Sequence, residues 1–188
     1  MADINELKDR LAKLIIEKGA LKFGDFTLAS GKKSDYYIDG RIIGLTPEGA
    51  HLVGAALHAI VAEKYPAATA IGGLIAGAVP PAVAASVASR GTARPLDAFM
   101  VRKEIKKHGT QRAVEGPVAP GARVVVVDDV ITTGGSTLEA IRKVEEFGCL
   151  VEGVVCLVDR EDEKAPGLAK YAFTPVLTIT ELRKYRKQ

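Results

Sequence analysis

The sequence predicts an open α/β fold built on a parallel sheet, and two observations carry that prediction. Val124-Val125-Val126-Val127 is apolar without polar alternation, as strands buried on both faces are, and Val151 to Val158 reads as the next buried strand. Around them, strand-length apolar runs alternate with helix-length segments, the pattern of strand–helix–strand units. At 188 residues the chain has the size of one domain, expected over 1–188. Ligands of such sheets sit at the carboxyl ends of the strands, which is where chemistry is expected.

The elements follow in chain order. Asp3 and Glu6 form a capping-box pattern ahead of Ile4, Leu7, Leu11, Leu14 and Ile15 at helical spacing, and Gly19 stops that helix. Leu21 to Arg41 mixes Gly and Ser with two extended pieces, Phe26-Thr27-Leu28 and Tyr36-Tyr37-Ile38. Thr46-Pro47-Glu48 sets an N-cap before Pro at the first helical position, opening a helix towards Tyr65. Ala68 to Ile71 reads as a short strand ending in Gly72-Gly73, Pro80 to Ser89 as an Ala-rich helix, and Leu96 to Val101 as a strand. Ser136 to Phe147 is a helix stopped by Gly148. Cys149 and Cys156 lie seven apart on the last strand, so they are expected on opposite faces as small buried hydrophobes.

Composition removes several function classes. Twenty-six Lys and Arg against 23 Asp and Glu give a net charge of +3, too mild for a nucleic-acid binder. Hydrophobic residues are 47 %, aromatics 5 % and Trp is absent, so the core is expected from Ala, Val, Ile and Leu. No Cys or His spacing resembles a zinc site. No apolar run approaches the roughly 20 residues that cross a bilayer, and the N-terminus is polar and acidic where a signal peptide is basic, then apolar. The expectation is a cytoplasmic protein with no membrane contact.

The richest segment runs from Val124 to Thr137. A buried strand reaches two adjacent carboxylates, Asp128 and Asp129, then a loop of Thr132, Thr133, Gly134, Gly135 and Ser136 leads into a helix. Glycines let the backbone approach a ligand, and the helix N-terminus offers N–H groups and positive dipole. That is a cradle for one phosphate. The carboxylates repel phosphate but suit neighbouring hydroxyls, or magnesium held through water. A phosphate beside a diol is a ribose 5-phosphate.

This segment resembles the binding motif of the type I phosphoribosyltransferases, which use 5-phosphoribosyl 1-diphosphate (PRPP) as ribosyl donor. It is not a Walker A loop, which needs Gly-Lys-Ser/Thr. A second segment, Arg102 to Arg112, carries Arg102, Lys103, Lys106, Lys107, Arg112 and His108 against Glu104, and its Arg-Lys-Glu-x-Lys-x-His order looks like the catalytic loop of the orotate phosphoribosyltransferases. Phe26 to Asp39, with Ser30-Gly31, Ser34 and the tyrosine pair, resembles the hood segment of those enzymes. Arg160, at the end of Leu157-Val158-Asp159-Arg160, leaves a buried strand at the same sheet edge, where a guanidinium suits the carboxylate of orotate. Its alternative partners are Asp159 and Glu161.

The resemblance runs from about Leu21 to Thr180 and implies the type I phosphoribosyltransferase fold, a central parallel sheet flanked by helices. A small hood is expected mainly from residues 1–45 and the C-terminal end, with the core at about 46–160. The implied reaction joins orotate to PRPP, giving orotidine 5′-monophosphate and diphosphate. The implied PRPP contacts are Arg102, Lys103, Lys106, His108 and the run Asp128, Asp129, Val130, Ile131, Thr132, Thr133, Gly134, Gly135 and Ser136. Lys103 is the implied catalytic residue, Thr132 and Arg160 touch orotate, and Tyr37 and Ile38 lie nearest the base. Hydrated Mg2+ sits near Asp128 and Asp129 with no direct protein ligand. The implied assembly is a homodimer whose Lys103 loop serves the neighbouring subunit. Two lysines common in the family are replaced, by Ala29 and within Ile75-Ala76-Gly77-Ala78-Val79. The diphosphate then rests on Arg102, Lys103, Lys106 and the backbone at Gly72-Gly73. Two alternatives share the Asp-Asp cradle: a purine or xanthine phosphoribosyltransferase, and a PRPP-sensing regulator that binds RNA. The pairs Arg183-Lys184 and Arg186-Lys187 read as a solvated helix end.

Overall fold

The computed structural model describes residues 3–27, 31, 33–104 and 112–186. Helix α1 (Ile4–Glu17) leads into an antiparallel hairpin of β1 (Leu21–Thr27) and β2 (Lys33–Ile38), then a short α2 (Arg41–Gly44) and α3 (Pro47–Lys64). The sheet strands are β3 (Ala70–Leu74), β4 (Asp97–Val101), β5 (Val114–Glu115), β6 (Arg123–Ile131), β7 (Leu150–Asp159) and β8 (Phe173–Thr178). Helix α4 (Val79–Ser89) joins β3 to β4, and α5 (Gly135–Glu146) joins β6 to β7. A 3-10 turn over Pro166–Lys170 precedes β8, and α6 (Ile179–Arg183) follows it. The strand order is β5-β4-β3-β6-β7-β8, parallel throughout except for the antiparallel edge strand β5.

The valine run does what its lack of alternation predicts. Val125 and Val127 join the cluster containing Leu11, Leu52, Leu57 and Ala85, while Val124 and Val126 join the one containing Ala140, Ile141 and Val144. Each fully buried valine contributes about 1.5 kcal/mol or more of apolar transfer energy, so β6 is anchored from both faces. Among the described residues no helix is long and apolar enough to cross a membrane.

Several boundaries move, each for a tertiary reason. Strand β6 continues past the carboxylates to Ile131, because Val130 and Ile131 still pair with Val158 and Asp159. Strand β3 runs through Gly72 and Gly73 to Leu74. The glycines are packing devices there: a Cβ at Gly72 would strike the Phe99 carbonyl, and one at Gly73 the Val127 carbonyl. The cysteines do not face opposite ways. The register slips between Val124↔Val151 and Val125↔Gly153, an extra residue at Glu152 that reverses the alternation. Cys149, just ahead of β7, and Cys156 therefore share one apolar cluster, both free.

The caps and the tail also differ from expectation. Asp3 accepts the N–H of Asn5 at 3.0 Å, whereas the full capping box lies at Thr178 and Glu181. The basic tail is not simply solvated. Arg183 donates twice to Asp35, at 2.8 Å each, and lies 5.3 Å from the Tyr36 ring centre. Arg186 lies 4.7 Å from the Phe23 ring centre, and Lys8 reaches Glu181 at 2.8 Å. The chain's end thus straps the β1–β2 hairpin to α1 and the sheet.

Candidate active site

The carboxyl ends of β3 and β6 open into a cavity of about 330 Å³. Tyr37, Ile38, Asp39, Gly40 and Arg41 close one side, Leu74 to Gly77 another, and Lys103, Asp128, Asp129, Val130 and Ser136 complete the lining. Strand β6 brings the two aspartates here because its valines, buried on both faces, anchor it up to the cavity. The backbone presses close around them. A Cβ at Gly77 would stand 2.6 Å from Asp129 Oδ1 and 3.1 Å from Asp128 Oδ1, and one at Gly40 would stand 2.9 Å from Asp129 Cβ. The Ile75–Ala76 peptide in this wall is cis.

Asp128 is 8 % exposed. Its Oδ2 accepts the Ser136 hydroxyl at 3.1 Å and the Thr137 hydroxyl at 3.4 Å, and its Oδ1 accepts the Asp129 N–H at 3.1 Å. Burial, then the neighbouring Asp129 charge, push its carboxyl up to about 7 against the help of those donors. Asp129 is also raised, first by burial, although the Val130 N–H bonds its Oδ1 at 2.8 Å. Neither carboxylate forms an ion pair among the described residues; Arg41 at the cavity wall is held instead by Asp39, with Nη2–Oδ2 at 2.8 Å. The two carboxylates form the floor of the cavity.

Beside the floor, Ile131 ends β6 and Thr132-Thr133-Gly134 turns into α5. Gly134 takes φ +84°, a conformation glycine adopts readily, and no side chain caps the helix that follows. Ser136 reaches both the cavity and Asp128. Thr132, Thr133, Gly134 and Gly135 form the adjoining turn without lining the cavity.

The other expected residues divide. Lys103 lines the cavity of its own chain. Arg102 does not; its guanidinium is bound to Glu115 across the β4–β5 edge, with Nη2–Oε2 at 3.1 Å. Lys106 and His108 lie outside the described residues, as do Ala29 and Ser30 of the hood segment. The backbone wall is Leu74 to Gly77 and not Gly72-Gly73, which are inside β3. Arg160 sits behind the hairpin. Its Nε donates to Tyr36 Oη at 3.0 Å and its Nη2 to Ser34 Oγ at 3.4 Å, with the guanidinium 4.7 Å from the Tyr36 ring centre. Its acidic neighbour is Asp162 at 3.5 Å, neither Asp159, which Lys164 holds at 2.7 Å, nor Glu161. Of the tyrosine pair, Tyr36 is 6 % exposed while Tyr37 is 43 % exposed and faces the cavity. Gly40 and Arg41 are wall residues that sequence reasoning missed. The available signal was that they directly follow the hood segment.

Comparison with known proteins identifies the family. Residues 59–180 match the phosphoribosyl transferase domain family. The orotate phosphoribosyltransferase of Rhodopirellula baltica is 42 % identical over 181 residues, covering 93 % of each chain. That of Aquifex aeolicus is 45 % identical over 158 residues, covering 82 % of this chain and 85 % of its own. The Mycobacterium tuberculosis orotate phosphoribosyltransferase, solved in complex with PRPP, superposes with a TM-score of 0.76 at 32 % identity, over 94 % of this chain and 99 % of that one. The chain belongs to the orotate phosphoribosyltransferases, within the phosphoribosyltransferase family.

Proposed function

We propose that the protein transfers the 5-phosphoribosyl group of PRPP to orotate, giving orotidine 5′-monophosphate and diphosphate. The observation that carries this reading is the Asp128–Asp129 pair on the cavity floor beside an uncapped helix N-terminus. The pair suits a ribose diol, and the turn at Thr132 to Ser136 suits its 5-phosphate. In the reaction the bond from ribose C1 to diphosphate breaks, a pyrimidine nitrogen that has lost its proton bonds to C1, and the electron pair leaves with diphosphate. The chain's residues contribute position and charge rather than a strong acid or base. Lys103 meets the charge that develops on the leaving group, and the Leu74–Gly77 wall holds its other side. Arg102 joins them by exchanging Glu115 for the diphosphate. By family resemblance Lys106 and His108 also bind the diphosphate. Tyr37 and Ile38 cover the base, and Arg160, carried by Tyr36 and Ser34, meets its carboxylate.

Magnesium fits this site as a hydrated ion. Two buried carboxylates without a counter-cation suit it, and among the described residues no cluster of three or more His, Cys, Asp or Glu side chains forms a protein cage. Asp128 and Asp129 would hold it through water, and when bound it supplies charge neutralisation for the diphosphate.

The test is diphosphate release from PRPP and magnesium with orotate, uracil, adenine, guanine or xanthine. Orotate alone should be turned over efficiently; comparable turnover of a purine overturns the reading. Uracil lacks the carboxylate that Arg160 is assigned to meet, so it should be rejected strongly. Arg160→Ala should lower kcat/KM for orotate by about 100-fold while changing PRPP affinity little. Equal loss of both would remove the assigned role.

A further inference from the structure

We propose that Lys143 is a positioning residue for this reaction. Its ammonium fixes the main chain that presents Lys103 to the cavity. The inference rests on the functional reading above and adds a residue to it.

Lys143 stands on α5, near the helix's carboxyl end, and is 8 % exposed. A lysine is that buried only when its charge is compensated. Its Nζ donates to the Arg102 carbonyl at 2.8 Å, the Lys103 carbonyl at 2.5 Å and Glu139 Oε1 at 2.7 Å. Three donors meet three acceptors, which saturates the ammonium. Glu139 is one turn earlier on the same helix, so it aims and neutralises the lysine without drawing it from the carbonyls.

Packing alone does not require this arrangement. The buried neighbours on α5 are Ala140, Ile141 and Val144, and an aliphatic side chain would complete that stripe. A methionine there, however, would leave two main-chain carbonyls without their donor. The contact therefore selects a conformation of the chain at 102–103. Arg102 is held at its N–H and its guanidinium as well. Its N–H donates to the Ala113 carbonyl at 2.8 Å, and its guanidinium is bound to Glu115. Lys103 thus follows directly on an anchored stretch of backbone. Its side chain lines the cavity, and among the described residues its ammonium has no partner.

Helix α5 begins at the turn that suits the 5-phosphate. Through Lys143 the same helix holds the residue assigned to the diphosphate. One rigid element therefore sets the distance between the two ends of the donor substrate. Misplacement of a catalytic group by an ångström costs rates far more than it costs binding.

The experiment is a double-mutant cycle on kcat with Lys143→Met, Lys103→Ala and the double variant, alongside Lys143→Arg. Lys143→Met should lower kcat by about 10- to 100-fold with KM for orotate within about twofold. In the Lys103→Ala background the same change should cost less than about threefold, because the two act as one unit. Lys143→Arg should recover most of the rate, since a guanidinium still donates to both carbonyls. Multiplicative effects, or an unchanged kcat in Lys143→Met, overturn the proposal. Hydrogen exchange over residues 101–104 supplies an arm without substrate: the amides there should exchange faster in folded Lys143→Met, and unchanged exchange overturns the anchor. If Lys143→Met does not fold, Lys143→Gln, which keeps a donor, takes its place in both arms. A wild-type chain that turns over no orotate sinks the functional reading, and the exchange arm then still decides whether Lys143 holds this backbone.

Discussion

Asp128 sets burial against function within one carboxyl group. Strand β6 carries it into a poorly solvated floor, and burial first, Asp129 second, raise its pKa to about 7. An unfolded chain releases the same proton near the ordinary carboxylate value of about 3.9. Between those values the native state holds a proton that the unfolded state has lost. This group's contribution to stability is therefore full below about pH 4 and is lost as pH rises towards 7. Replacing it by Asn removes the penalty of ionising a buried acid. Asp128→Asn should melt at a higher temperature than wild type at pH 8, with the gap closing towards pH 5, while PRPP affinity in the presence of magnesium falls by about tenfold or more. Calorimetry at the two pH values and direct PRPP binding check it. A lower melting temperature at pH 8 with PRPP affinity retained would make the carboxylate structural. The adjacency of two acids at the end of an unbroken valine run was legible in the sequence. Their enclosure by Gly40 and Gly77 was not, because those residues arrive from other elements.

Between elements, the same substitution should do opposite things at two glycines. Gly54 lies where α3 crosses α4, and a Cβ there would strike the Ala84 carbonyl. Gly54→Ala should cost about 1–3 kcal/mol of stability through overpacking, with PRPP affinity of the folded fraction kept. At Gly77 the added carbon meets the carboxylates on the cavity floor and not the core. Gly77→Ala should leave the melting temperature near wild type and weaken PRPP binding by about tenfold or more, since the cradle is partly filled. Thermal melts and equilibrium binding separate the two. These glycines also mark how far the sequence reads. Gly72-Gly73 look like the end of a strand, because glycine punctuates local structure. They are interior, because Phe99 and Val127 approach too closely for a side chain. Helices with strong local signals, such as Thr46-Pro47 capping α3, fall where periodicity puts them. Elements held by distant partners, namely β5 and β8, carry no comparable local signal. The bulge at Glu152 is invisible for the same reason, and it alone turns Cys149 and Cys156 to one face.

For the whole molecule, the apolar residues left outside the core bear on assembly. Leu45, Val83 and Val87 are 72 %, 49 % and 68 % exposed, and they line a groove of about 550 Å³ shared by the α2–α3 junction and α4. A patch of that kind is a candidate interface, and the homodimer that the family resemblance implies is expected to use it. Val87→Asp should therefore shift the protein from dimer to monomer in sedimentation velocity, since a charge on each copy would be buried without a partner. A dimer unaffected by it would place the interface elsewhere. The position of Lys103 then decides how such a dimer divides its labour. It lines the cavity of the chain that carries it, together with that chain's Asp128 and Asp129. If it acts there, a heterodimer of Lys103→Ala and Asp129→Asn chains carries one lesion in each site, and mixing the two variants restores no activity. If Lys103 crosses to the neighbour, both lesions fall in one site, the other is intact, and up to half of the activity per heterodimer returns. The geometry favours the first outcome. Recovery in shown heterodimers would reverse that assignment while leaving Asp128, Asp129 and the phosphate turn in their roles.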